Sequence, residues 1–184
     1  MAIRIAAAAL LGGFLMFAWL SIAHMSPLGE IGVSLLPREL LITSTLDSGA
    51  GGAGGLYIFP ASAEANADVP SGFMVFYPDN IFSGAMGGRI ALEFFKDIVQ
   101  ASVLVLLMIW AGMNGFLSRL GFALGVGLLA GATTNLSLAI WYGFPIAYAL
   151  SAAGITLVGY LVAGVGIALI LPRDGLWTNG KAGD

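Results

Sequence analysis

The chain has no cysteine, a single histidine and few charges: seven Lys and Arg against ten Asp and Glu in 184 residues, 9% in all and a net charge of −3. Without cysteine there are no disulfides, thiolate metal sites, iron–sulfur clusters or covalent c-type haem. The basic residues are scattered, so no patch can neutralise a run of phosphates, and nucleic acid is excluded as a partner. Soluble domains carry roughly 25% charged residues. What fills the sequence instead is apolar: 59% hydrophobic residues and a mean hydropathy of +0.95. That leaves too little polar surface to cover a water-exposed globule, so the lipid bilayer is the expected main solvent.

The apolar runs predict an all-α membrane protein with four transmembrane helices, about 5–23, 98–113, 120–140 and 145–171, in a single membrane domain over 1–184. Ile5 to Ala23 is an unbroken apolar stretch behind Arg4. At 1.5 Å per residue it covers roughly 28 Å, about one bilayer core. A cleaved signal peptide is the rival reading, but no A-x-A site follows directly after the run, and a retained span is expected. The short links NGFLSR and WYGFP predict antiparallel neighbours for spans two, three and four.

Residues 24–88 are expected to form a small extracytoplasmic cap inserted between spans one and two. Pro37-Arg38-Glu39-Leu40-Leu41-Ile42 suits a helix with Pro37 in its first turn. GAGGAGG, Gly49 to Gly55, is a flexible connection and no phosphate loop, because no Gly-Lys-Ser/Thr follows. LYIFP and FMVFYP, split by the turn-rich ASAEANADVPSG, predict a β-hairpin. Its rings Tyr57, Phe59, Phe73, Phe76 and Tyr77 exceed what so small a cap can hide, so the faces carrying Tyr57 and Phe59, and Phe73 and Tyr77, should rest on the span ends or on a neighbouring subunit. With both termini cytoplasmic, Arg4, Arg119, Arg173 and Lys181 lie inside, against Arg38, Arg89 and Lys96 outside.

Four groups of residues are candidates for chemistry. His24, in FAWLSIAHMSPLGE, could be an axial ligand of haem or chlorophyll. Met25 points about 100° away and cannot complete such a site; Glu30 alone does not make a zinc site. The preferred reading is an interfacial histidine at a span exit, with Trp19 as an interfacial anchor and Pro27 and Gly29 making the turn. Arg89, Glu93, Lys96 and Asp97 fall at helical spacings. They read either as an ion or proton entry point or, preferred, as water-exposed first turns above the bilayer. Thr133, Thr134, Asn135 and Ser137 read as interhelical hydrogen-bonding groups. Gly121, Gly125, Gly127 and Gly131 form two interleaved small-xxx-small pairs, and Gly154, Gly159, Gly164 and Gly166 punctuate span four. Such faces let helix backbones approach closely.

FAWLSIAHMSPLGE, followed by SLLPREL, the YIFP strand and the WYGFP turn, resembles an uncharacterised family of small bacterial four-span membrane proteins. The resemblance implies topology and a bacterial inner-membrane setting, and no activity.

No catalytic triad, metal cluster or nucleotide loop is present in the sequence, so the chain is expected not to be an enzyme. The leading expectation is a non-catalytic accessory or scaffold subunit of a larger membrane complex, respiratory and photosynthetic assemblies being natural hosts. Its partners would be the lipid bilayer and other integral-membrane subunits, one of them holding the glycine-rich WTNGKAGD tail. The alternatives are a cofactor-binding protein that takes haem, quinone or chlorophyll through His24, and a small transporter.

Overall fold

The computed structural model describes residues 2–60, 68–79 and 86–172. It is mostly helical. Helix α1 spans Ala2–His24 and is followed by a 3₁₀ turn, Pro27–Glu30. The cap contributes α2 (Glu39–Gly49) and the strands β1 (Gly55–Phe59) and β2 (Gly72–Phe76). Then come α3 (Met86–Trp110), α4 (Phe116–Gly131), a π-helical turn (Ala132–Leu136), α5 (Ser137–Tyr142) and α6 (Ile146–Ile170).

Three helical runs are long and apolar enough to cross a membrane: Ala2–His24, Phe116–Tyr142 and Ile146–Ile170. Each is apolar around most of its circumference, as lipid contact requires. Helix α3 has the length, 25 residues, but Arg89, Glu93, Lys96 and Asp97 occupy its first half. The run expected at 98–113 is therefore the second half of a helix that starts at Met86 and stops at Trp110.

Packing runs in a curved row, α4 against α6, α6 against α1 and α1 against α3, while α3 and α4 barely touch. The short link between α3 and α4 had suggested close neighbours. Glycine decides otherwise. A Cβ on Gly13 would sit 2.7 Å from Ile98 Cα, so α3 lies directly on α1. A Cβ on Gly12 would be 2.8 Å from Ile167 Cγ1, one on Gly131 2.7 Å from the Ala153 carbonyl oxygen, and one on Gly164 2.6 Å from Ala123 Cβ. Close backbone approach at small residues is how helices associate without a hydrophobic driving force. Ala8, Met16, Leu104, Met108, Ala123 and Ile167 fill the core these contacts enclose.

The hairpin is antiparallel, with Gly55 opposite Phe76 and Phe59 opposite Gly72. Each strand starts one residue earlier than the sequence suggests. Phe73 seats the hairpin on the bundle: its ring centroid is 4.9 Å from Tyr142 and 5.8 Å from Phe144. The seat itself is the turn after α5, where Gly143 takes a left-handed φ of 70° and lets the chain reverse into α6. Helix α2 begins at Glu39 behind a left-handed Arg38, so Pro37 lies before the helix and not in its first turn. The first seven residues of ASAEANADVPSG, 61–67, and the WTNGKAGD tail lie outside the described residues.

Candidate functional site: a polar cavity between the helices

The exit of α1 is built by local bonds. Ser26 Oγ donates to the Ala23 carbonyl at 2.8 Å and accepts from the Leu28 amide at 3.3 Å. Gly29 is needed for closeness, since its Cβ would lie 2.9 Å from the His24 carbonyl oxygen. The left-handed residue of this segment is Gly32, φ 78°, pressed on the Tyr148 backbone. Ser151 Oγ donates to the Leu28 carbonyl at 2.8 Å and ties the turn to α6. Trp19 does not act as an outward anchor. Its indole N–H donates to the Ile155 carbonyl at 2.9 Å, a bond between α1 and α6.

Beside this exit, α3 and the α4–π segment diverge and leave a cavity of about 350 Å³. Ligand pockets run from roughly 300 to 1,000 Å³. Its floor is Met16 and Leu20 of α1 with Ile155 and Gly159 of α6. One wall is Glu93, Lys96 and Gln100 of α3, and the opposite wall is Thr134 and Asn135. Tyr148, Thr156 and Tyr160 come from α6, and His24 stands at the rim. Three groups that looked separate in the sequence (His24, the charged run and the Thr134–Asn135 pair) thus meet at one place.

The charged run is not above the bundle. Gly13 is midway along α1, and Ile98 lies against it. Phe94 packs edge-on to Phe17 with ring centroids 5.3 Å apart. Glu93, Lys96 and Asp97 are therefore level with the middle and His24-side half of α1; Asp97 is buried there, while the Lys96 and Glu93 side chains are nearly half exposed. Lys96 Nζ donates to Glu93 Oε1 and lies 3.3 Å from Asp97 Oδ1. Asp97 is 0% exposed, and neither of its oxygens has a hydrogen bond. A buried carboxylate without hydrogen bonds is costly, so this one stands out.

Asn135 is buried, but its Nδ2 donates to the Gly131 carbonyl of its own helix at 3.0 Å, not across to another. Gln100, Thr134, Tyr148 and Tyr160 have no side-chain hydrogen bond among the described residues. His24 likewise has none, and Met25 is 89% exposed. Among the described residues no group of three His, Cys, Asp or Glu could hold a metal ion.

Arg119 sits at the other end and is buried, not a loop charge in water. Its Nε donates to the Met113 carbonyl at 2.9 Å and its two terminal nitrogens to the Leu171 and Pro172 carbonyls. The cation neutralises the carbonyl end of α6 and latches it to the α3–α4 link.

The glycine faces divide. Gly127 and Gly131 pack on α6, and Gly159 packs on Trp19 and Leu20. Gly121, Gly125 and Gly154 have nothing within 4 Å of where a Cβ would be. Gly12 and Gly13, which set the α1 contacts, escaped the sequence reading, although a Gly-Gly pair inside an apolar run was the available signal. Gln100 and Tyr160 gave no signal, because isolated polar residues show a shared cavity only after folding. No protein-family model, no curated protein and no solved structure matches the chain.

Proposed function

We propose that the chain is a non-catalytic integral-membrane subunit of a larger complex in a bacterial inner membrane. In this reading α3 is the fourth crossing helix, both termini are cytoplasmic and residues 24–88 lie on the periplasmic or extracellular side. One observation carries it. Helix α4 has two small-residue faces: Gly127 and Gly131 are taken up by α6, while Gly121 and Gly125 lie open beside exposed Leu117 and Leu128. A small-xxx-small stripe left open on a lipid-facing helix suits a second helix. Purification of the tagged chain in mild detergent tests this. Co-purifying membrane proteins that are lost in Gly121→Leu/Gly125→Leu support it. A monodisperse monomer, indifferent to that double substitution, sinks it. A reporter active only outside the membrane should work after Gly52 and fail after Asp184; the opposite result reverses the orientation.

The position of Asp97 favours a second reading, a small transporter, since intramembrane ionisable residues mark ion and substrate paths. Proteoliposome flux abolished in Asp97→Asn selects it over the first.

A further inference from the structure

We propose that the cavity beside α3 binds the hydroxyl-bearing head of an uncharged amphiphile, which enters from the lipid between α3 and α4. The proposal stands apart from the subunit reading. It starts from the π turn at Ala132–Leu136, which carries Thr134 and Asn135 to the cavity wall. Such turns inside α-helices are rare and concentrate at functional sites. Asn135 is only 9% exposed. Its Nδ2 donates to the Gly131 carbonyl, and because a carbonyl only accepts, the orientation of the amide is fixed. Oδ1 is left as its open polar atom, an acceptor with no hydrogen bond among the described residues. A buried amide oxygen without a donor is costly. A lone water would satisfy it and leave the apolar floor of Met16, Leu20 and Ile155 uncovered. An amphiphile with a hydroxyl head does both.

The walls disfavour charged ligands. Glu93 and Lys96 line the cavity and are bonded to each other. Lys96 also pairs with Asp97, 3.3 Å away, which does not line the cavity. Arg89, one turn before Glu93 on α3, is engaged as well. The run thus holds two bases and two acids, each with a partner, and the rest of the lining contains no Asp, Glu, Lys or Arg. A charged head would give up its hydration with no uncommitted counter-charge to meet it. Among the described residues no group of three His, Cys, Asp or Glu offers a site for a bare metal ion. The polar groups that remain, Gln100, Thr134, Tyr148 and Tyr160, are unbonded and can each donate or accept, which suits a hydroxyl. A volume of about 350 Å³ is at the low end for ligand pockets and has room for one ring or a small polyol head. The weak contact between α3 and α4 leaves a lateral way in for the head, with its tail remaining in lipid.

Four probes share one apolar body: 4-phenylbutanol, its methyl ether, 4-phenylbutylammonium and 4-phenylbutyrate. Each is titrated calorimetrically into the full chain in dodecyl maltoside micelles, with empty micelles subtracted. The ether keeps its oxygen as an acceptor and lacks the proton that Asn135 Oδ1 needs. The alcohol should therefore bind about tenfold tighter than the ether, and tighter than either ion. Asn135→Leu should weaken the alcohol to the level of the ether and leave the ether within about twofold, which shows that the cavity is intact. No binding of the alcohol, an ether that equals it, an ion that outbinds it, or a preference for alcohol over ether that survives Asn135→Leu each overturns the proposal. If Asn135→Leu fails to fold, the comparison of alcohol and ether in the unaltered chain carries the test. Two kinds of lipid bear such a head, alkylated hydroquinones and monoacylglycerols. Displacement of the alcohol by decylhydroquinone assigns the first and by monoolein the second; displacement by neither overturns the proposal.

Discussion

At one end of the bundle Arg119 is buried with three carbonyl oxygens around its guanidinium; toward the other, Asp97 is buried with neither oxygen bonded. Both are ionisable groups in an apolar protein, yet their surroundings differ. Around Arg119 the helices converge on Met108, Ala123 and Ile167, and the charge closes the assembly. Beside Asp97, α3 has parted from α4, and Glu93, Lys96 and Gln100 line the cavity, which Asp97 itself does not. A buried charge whose hydrogen bonds are complete is a structural part. One whose hydrogen bonds are missing, with only a shared ion pair to Lys96, adds little stability of its own.

Substitutions that treat the two ends alike should give unlike results. Arg119→Met should cost the most, roughly 3 kcal/mol, because it removes charge-assisted bonds and strands buried carbonyls. A thermal melt of the purified chain checks this; an unchanged midpoint would mean that water replaces the guanidinium. Next in size is Gly131→Val at about 1–3 kcal/mol, since the added Cβ meets the Ala153 backbone, which cannot move aside. Gly121→Val, ten residues earlier on the open face, should stay within about 0.5 kcal/mol in the same melt. If the two glycine variants melt together, the distinction between the used and the open face is wrong.

Asp97→Asn is expected to have the opposite sign to Arg119→Met. It removes a buried charge that has no hydrogen bond and only a shared ion pair, so the protein should gain about 1 kcal/mol. A destabilised Asp97→Asn would make this carboxylate a structural part like Arg119 and erase the contrast. A small effect is also expected for Glu93→Gln, under about 1 kcal/mol, because the Glu93–Lys96 pair is nearly half exposed. Denaturation at low and high salt would separate its electrostatic part.

The closed end was easier to anticipate than the open one. Long apolar runs announce helices by composition alone, which is why α1, α6 and the α4–α5 run could be read to within a few residues. The hairpin was legible for a related reason: aromatic and β-branched residues bounded by turn residues are a local pattern. The depth of the charged run was not local. It depends on Gly13 meeting Ile98, eighty-five residues away, and the same four charges would sit in water had α3 slid along α1 by two turns. The role of Arg119 was not legible, because the sequence shows a basic residue near a loop and not the carbonyls it turns back to meet. Trp19 deceived in the same way: an aromatic residue near a span end is usually a surface anchor, and only the fold brings the Ile155 carbonyl within reach of its N–H.

The π turn at Ala132–Leu136 works as a phase adjuster. Each residue advances an α-helix by about 100°, and a π turn takes up one residue more than an α turn of the same closure. Everything after it, including Tyr142, is therefore rotated relative to α4. That angle aims the aromatic turn at Phe73, 4.9 Å from Tyr142, while Thr134 and Asn135 still line the cavity. Deleting one residue from the turn would restore a uniform helix and swing Tyr142 about a quarter turn away from the hairpin. A single-codon deletion there would thus change where the cap docks without touching any residue of the cap.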